Sequence, residues 1–340
     1  MESQSPQLSE FELIERFFKT HSEAMLNSRE NIVALGIGDD CALITSNQGE
    51  DIAITSDMLV EGRHFFADAN PEWLGHKALA VNLSDLAAMG AKPIGFTLAL
   101  ALPAADPMWL KAFSKGLFDI ANAYSCHLIG GDTTAGPLNI CITAIGSVPK
   151  GKAIRRSMAL DGDEIWVSGT VGDARLALAA LRHEITLVDS DLEAIQSRMH
   201  QPTPRVQLGI ALRGVATAAL DISDGLLGDL KHLLEQSKKD AEIFLGHIPK
   251  SAILLKQNPQ IQNQFAASGG DDYELCFTAP LSQHATIQAI SKNLHLPLTL
   301  IGNIKPMQRQ QATITLMNSD GKRYDENETV ALLKSFDHFA

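Results

Sequence analysis

Apolar residues recur at helical spacing in three stretches of the first half of the chain, each opened by a residue suited to capping. Ser9-x-x-Glu12 forms a capping box ahead of the stripe Leu13, Ile14, Phe17 and Phe18. Asn70 can cap a second helix, Pro71 fits its first position, and Gly90 followed by Pro93 ends it. A third begins at Asp106-Pro107 and carries Leu110, Phe113, Leu117, Ile120 and Tyr124 on one face. Elsewhere the pattern shortens to strand period, and 51–56, 94–102 and 139–148 are expected to be strands. Strand, helix, strand, helix, strand is the order of an α/β or α+β domain.

The alternation restarts after a Pro/Gly-bearing, locally basic stretch near 149–163. Strands are expected over 164–168, 241–245, 274–278 and 313–316. Helices are expected over 173–182 and, after the turn Gln201-Pro-Thr-Pro204, over 205–219. Val188-Asp-Ser-Asp191 reads as a helix cap. The length of 340 residues agrees with two cores, since single cores stop growing at about 250–300 residues. The boundary gives domains of 1–149 and 150–340.

Composition narrows the function classes. Hydrophobic content of 45% with 20% charged residues is ordinary for a globular protein and argues against disorder. Lys+Arg 28 against Asp+Glu 40 gives a net charge of -12, with no basic run to attract duplex phosphates or an anionic membrane. Nucleic acid and membranes are therefore not expected partners. The polar N-terminus does not resemble a signal peptide, and the longest uncharged stretches, 93–105 and 133–149, are too short and broken to span a bilayer. Cys41, Cys126, Cys141 and Cys276 are scattered, without a CxxC pair, and read as reduced thiols of a cytoplasmic protein.

Candidate chemistry gathers in six short acidic clusters, expected at strand ends and helix edges. They are Gly36-Ile-Gly38-Asp39-Asp40, Thr55-Ser56-Asp57, Asn82-Leu-Ser84-Asp85, Gly130-Gly131-Asp132-Thr133-Thr134, Asp221-Ile-Ser223-Asp224-Gly225 and Gly269-Gly270-Asp271-Asp272-Tyr273-Glu274. Any one of them alone is an ordinary turn or cap. Their number is what points elsewhere, because converging carboxylates repel unless cations sit among them. Mg²⁺, a hard cation held by a few carboxylates and substrate phosphates, suits them best. Asn82 and Asp85 fall three apart on one face of the second helix, among Ala and Leu, where a carboxylate is costly to bury without a partner or a metal.

Common catalytic motifs are missing. Gly146-Ser-Val-Pro-Lys-Gly151-Lys152-Ala153 fits a P-loop except at its last position, where Ala153 has no hydroxyl for Mg²⁺ and no helix start follows. No Gly-x-Gly-x-x-Gly precedes a helix, no kinase catalytic loop occurs, and no Gly-x-Ser-x-Gly serves a hydrolase. The eleven His residues are dispersed.

Taken together, GIGDDCALI (36–44), TSDMLVEGRHF (55–65), KALAVNLSDLAAMGAKP (77–93), LIGGDTTAGP (128–137), DISDGLLGDL (221–230), SGGDDYELCF (268–277) and FDHF (336–339) resemble the thiamine-monophosphate kinase family, of the aminoimidazole-ribotide synthetase-like ATP enzymes. The motifs stand in the family's order and cover nearly the whole chain. The resemblance implies an N-terminal α/β domain that binds ATP and Mg²⁺ and forms a homodimer through its sheet. It also implies a C-terminal α/β domain with a ferredoxin-like core that completes the nucleotide and substrate site. The implied reaction turns thiamine monophosphate and ATP into thiamine diphosphate and ADP.

By motif, the resemblance implies metal ligands at Asp40, Thr55, Ser56, Asp57, Asp85, Asp132, Asp221 and Asp224. It implies nucleotide contacts at Gly131, Asp132, Arg156, Ser223 and Tyr124, and thiamine-phosphate contacts at His64, Asp271 and Phe336. Two positions depart from the pattern: Asp271 stands where the family often has Glu, one methylene longer, and Phe336 where it often has Trp or Tyr. The chemistry agrees with this set. A phosphate monoester with a second pKa of about 6 is already largely ionised near pH 7, so its oxygen needs no strong base. Transfer needs positioning and charge neutralisation instead. Selenophosphate synthetase usually has a reactive Cys or selenocysteine beside Lys near its N-terminus, and the hydrogenase-maturation carbamoyl dehydratase has a C-terminal Cys. Neither feature is present. The purine-pathway synthetases and a non-catalytic metal- or nucleotide-binding module are the remaining alternatives.

Overall fold

A computed structural model of the chain describes residues 16–17, 33–35, 43–44, 49–318, 321–325, 329–330 and 332–333. Apart from Arg16 and Phe17, the helix expected after Ser9 lies outside the described residues. The chain divides into two compact units, Met1–Leu86 with Ala91–Gly151, and Ala87–Gly90 with Lys152–Ala340.

In the first unit, β1 (Val33–Leu35) and β2 (Leu43–Ile44) form a small antiparallel pair. There follow β3 (Glu50–Val60), α1 (Pro71–Ala88), β4 (Lys92–Leu102), α2 (Pro107–Ala123), β5 (His127–Ala135) and β6 (Asn139–Pro149). Asn70 Oδ1 accepts from the Glu72 amide at 2.9 Å, and Asp106 caps α2 through the Met108 amide at 2.8 Å, so both helices start where the cap residues predict. Tyr124 is the C-cap of α2 and not part of its stripe.

The sheet runs β3-β6-β4-β5, with only the β4–β5 pair parallel. Its two faces differ sharply. Leu59, Phe96, Leu98, Leu100, Ile140, Ile142 and Ala144 point inward and are buried, as are Leu79, Leu83 and Leu86 of α1 and Leu110, Phe113 and Leu117 of α2. Burying each such Leu stabilises the unit by about 1.5–3 kcal/mol. The other face keeps Ile52, Ile54 and Met58 of β3 exposed by 38%, 67% and 53%. Register places Ile145 beside Ile54, and Cys141 beside Met58 and Ala99, on this same uncovered pleat.

The second unit holds β7 (Glu164–Ser168), α3 (Asp173–Leu181), α4 (Asp189–His200), α5 (Val206–Ala211), β8 (Ala218–Asp221), α6 (Leu226–Ser237), β9 (Lys239–Phe244), α7 (Pro259–Ser268), β10 (Leu275–Ala279), α8 (His284–Leu294), β11 (Leu298–Pro306) and β12 (Ile314–Met317). The six strands lie in the order β12-β9-β11-β7-β10-β8, antiparallel except for β12 with β9. Ile165, Phe277, Ile243, Ile301, Leu230, Leu233 and Ile287 are fully buried in its core.

Three expectations need correction. The helix expected over 205–219 stops at Ala211, and its last two residues, Ala218 and Ala219, belong instead to β8, which pairs with β10. Gly209 and Gly214 weaken the helix, and all four strand residues gain burial in exchange. Val188-Asp-Ser-Asp191 does open a helix, but Val188 is its N-cap and no side chain caps it. Two acidic clusters are not loops, since Thr55–Asp57 lies inside β3 and Gly130–Thr134 inside β5. The near-P-loop behaves as expected, because Gly146 belongs to β6 and no helix follows the turn at Gly151. Among the described residues no helix is long and apolar enough to cross a membrane.

Candidate functional site

In the first unit the acidic residues come from a strand and a helix that face each other. Alternation along β3 turns Thr55 and Asp57 to the covered pleat, in register with Ala144 and Ile142. There the Thr55 hydroxyl donates to the Asp85 carboxylate of α1. Asp85 is half-buried, whereas its neighbours Asn82 and Ser84 are wholly buried. Asn82 Nδ2 donates to the Ala78 carbonyl at 3.1 Å, while Asn82 Oδ1 and Ser84 Oγ have no hydrogen-bond partner among the described residues. The one-face spacing of Asn82 and Asp85 therefore separates an inward amide from a carboxylate at the strand.

Strand parity divides the remaining candidates of this unit. Ser56 lies on the uncovered pleat, where its hydroxyl is 2.9 Å from that of Thr143. Asp132 is exposed and in register with Ala99, which places it on that pleat too, and not beside Asp57 and Asp85. Gly131 serves the sheet itself: a Cβ there would lie 2.0 Å from the Leu98 carbonyl oxygen. His64 sits in the turn after β3, where the Val60 amide donates to its Nδ1 at 3.0 Å. That bond leaves the proton of the neutral ring on Nε2. Tyr124 is half-buried at the end of α2.

In the second unit two acidic loops are strapped together. Asp221 ends β8, buried and in register with Leu275, and Ser223 and Asp224 follow in the turn that leads into α6. The Asp271 amide donates to the Ser223 carbonyl at 2.8 Å, and the Tyr273 amide to the Ile222 carbonyl at 2.8 Å. Asp271 and Tyr273 both adopt positive φ, 65° and 50°, and the Tyr273 hydroxyl donates to Asp271 Oδ1 at 3.1 Å. Arg156 is exposed in a short 3-10 turn whose carbonyl accepts from Ser237 at 2.6 Å. Asp40 and Phe336 lie outside the described residues.

Three acidic side chains in these loops serve structure. Asp272 is buried, and both its oxygens lie 2.9 Å from the Gly172 amide. Burial pushes its carboxyl well above the usual range, with the charge of Arg198 opposing. Glu274 is fully buried and accepts from Arg198, Arg205 and Ser168. Asp229, one turn into α6, accepts at Oδ2 from the amides of Ser223, Asp224 and Gly225 at 3.0, 3.0 and 3.1 Å. Burial and the charge of Asp224 push its carboxyl up to about 7 against those three donors. Sequence reasoning passed over Asp229, although an acid among leucines in the first turn of a helix was visible in DGLLGDL.

Among the described residues no three His, Cys, Asp or Glu side chains stand at metal-site spacing. Thr55 and Asp85 meet directly, Asp57 lies two residues along β3 on the same pleat, and all three offer oxygen only. Such a set fits Mg²⁺, which takes one or two carboxylates and completes its shell with water and phosphate oxygens.

Residues 38–148 match the family described as AIR synthase related protein, N-terminal domain. The thiamine-monophosphate kinase of Haemophilus influenzae is 43% identical over 333 residues, 98% of either chain. The crystal structure of the thiamine-monophosphate kinase of Stenotrophomonas maltophilia superimposes with a TM-score of 0.83 at 42% identity, covering 93% of this chain and 98% of that one. A structure described as AaThiL complexed with AMPPCP and TMP superimposes with a TM-score of 0.71 at 29% identity, over 95% and 98% of the two chains.

Proposed function

This chain belongs to the thiamine-monophosphate kinase family, and on that footing we propose that it transfers the γ-phosphoryl group of ATP to thiamine monophosphate, yielding thiamine diphosphate and ADP. The observation that carries this assignment is likeness over 98% of both chains to a kinase of that name. A relative described in complex with an ATP analogue and TMP supports the same pair of substrates.

Transfer is direct and in line. The oxygen of a phosphate monoester is already an anion near neutral pH, with a second pKa of about 6, so the chain has no base to supply. What it supplies is position. In the first unit, Thr55, Asp57 and Asp85 are the donors for Mg²⁺, with Asp85 oriented by the Thr55 hydroxyl. Bound there, the cation would neutralise phosphate charge as it develops. Asp221 and Asp224 of the second unit are further acidic donors. Ser223, Arg156, Gly131, Asp132 and Tyr124 are the proposed nucleotide contacts. His64 offers a ring N–H at Nε2 to a phosphate oxygen, its other nitrogen being engaged by the Val60 amide. Asp271, held by Ser223 and Tyr273, faces the cationic thiamine.

The uncovered pleat of the first unit supports a homodimer. Ile52, Ile54 and Met58 form an exposed apolar stripe on an edge strand, which a second copy would cover. Ser56 and Asp132 share this pleat, so association also bears on those two residues. Cys126, Cys141 and Cys276 form no disulfide, which supports a cytoplasmic setting. ATP made chiral at the γ-phosphorus tests the transfer: thiamine diphosphate with inverted configuration is expected, and retention would require a phosphoenzyme.

A further inference from the structure

Asp229 lies inside the DISDGLLGDL stretch but is assigned no contact with metal, nucleotide or substrate, yet it is the anchor of the turn that carries Ser223 and Asp224. One carboxylate oxygen, Oδ2, takes the amides of three successive residues, 223 to 225, all within 3.1 Å. The side chain is 8% exposed and sits one turn inside α6, where the positive end of the helix favours an acceptor. The chain before the helix is thus wrapped around a side chain that the helix itself provides.

The wrap fixes more than one loop. With the Ser223, Asp224 and Gly225 amides turned toward Asp229, the Ile222 and Ser223 carbonyls point the other way and receive the amides of Tyr273 and Asp271 at 2.8 Å each. The β8 end is closed by the Ile222 amide donating to the Glu274 carbonyl at 2.9 Å. Space around the turn is tight. Gly225 has φ 127°, and a Cβ there would lie 2.8 Å from the Ser268 carbonyl, while a Cβ on Gly270 would lie 2.6 Å from Ser223 O. Neither loop can shift without moving the other.

We propose that Asp229 is a positioning residue for the reaction. It sets the backbone of Ser223 and Asp224 for Mg·ATP and, through the Ser223 and Ile222 carbonyls, the Asp271–Tyr273 strap for thiamine monophosphate. This rests on the assignment of those loops to nucleotide and substrate given above. A residue that only stabilised the helix would lower the melting temperature and leave both substrates' parameters alone. A positioning residue changes both substrates' parameters in a folded protein.

The test uses the full-length protein with Asp229→Asn, which keeps size and one acceptor but no charge, and Asp229→Ala. Both are compared with wild type for circular dichroism, amide hydrogen exchange, calorimetric affinity for Mg·AMPPCP, and KM for thiamine monophosphate. Weaker or missing bonds to the three amides are expected to weaken Mg·AMPPCP about tenfold and to raise the KM for thiamine monophosphate by a similar factor. The 271–273 amides are expected to exchange faster along with 223–225. Added to Asp229→Asn, Asp224→Asn is expected to cost less affinity than in wild type, because its carboxylate is already displaced. Unchanged affinity and KM in folded Asp229→Asn, or faster exchange confined to 223–225, would overturn the proposal. Should Asp229→Ala fail to fold, the Asn variant decides. A wild-type protein that forms no thiamine diphosphate would sink the functional assignment instead, and the exchange experiment would still report on the coupling of the two loops.

Discussion

Arg205 grips the fully buried Glu274 with two parallel hydrogen bonds, Nε to Oε2 at 2.6 Å and Nη2 to Oε1 at 2.5 Å. Arg198 adds a third at 2.7 Å and Ser168 a fourth at 2.6 Å. Removing the charge leaves two guanidinium groups short of their acceptor in a desolvated place. Glu274→Gln is therefore expected to destabilise the protein by about 3–5 kcal/mol in urea denaturation. Arg205→Lys is expected to destabilise as well, since an ammonium cannot reproduce the fork. Lys115 pairs with Glu72 and Asp119 at the surface, and Lys115→Ala is expected to leave the midpoint in place.

Asp85 separates chemistry from packing. Asp85→Asn keeps the shape that meets Thr55 and removes the charge offered to a cation. Thiamine diphosphate formation is expected to fall on the order of a hundredfold or more, with the melting temperature nearly unchanged. Near-normal turnover would make Asp85 a structural partner of Thr55.

Ile54 tests the dimer. It is 67% exposed on the uncovered pleat, in register with Ile145. Ile54→Lys puts a charge into the middle of the proposed interface, and sedimentation is expected to shift from dimer to monomer. A variant that sediments like wild type would place the dimer contact elsewhere.

His127 opens β5 buried, with Nδ1 lacking a partner among the described residues, and burial lowers its pKa below 6.5. The folded protein thus holds neutral His127 more strongly than the unfolded chain does. Stability is retained above pH 6.5 and is lost as the pH falls from there toward the folded-state value. His127→Leu is expected to flatten that acid-side loss in denaturation midpoints measured across this range.

How far the sequence could be read depended on whether a signal was local. Asn70-Pro71 and Asp106-Pro107 bound their helices because caps act within one turn. β5 escaped notice because Gly130-Gly131-Asp132 reads as a turn, and only pairing with β4, about thirty residues away in sequence, makes it a strand. Ala218 and Ala219 went to the wrong element because helical spacing continued past Ala211, while their strand's partner β10 lies far along the chain. In the acidic clusters, residue type marked the positions but not the division of labour. Asp271 and Asp272 are neighbours, yet one lies half-buried beside Tyr273 and the other is buried against Gly172. The opposite pleats of Asp57 and Asp132 follow from register, which the composition of a cluster does not encode.

The most direct measurement is chromatography of purified protein incubated with Mg·ATP and thiamine monophosphate. Thiamine diphosphate and ADP are expected in equal amounts, with none formed when thiamine replaces its monophosphate. No diphosphate, or product from unphosphorylated thiamine alone, would contradict the assignment.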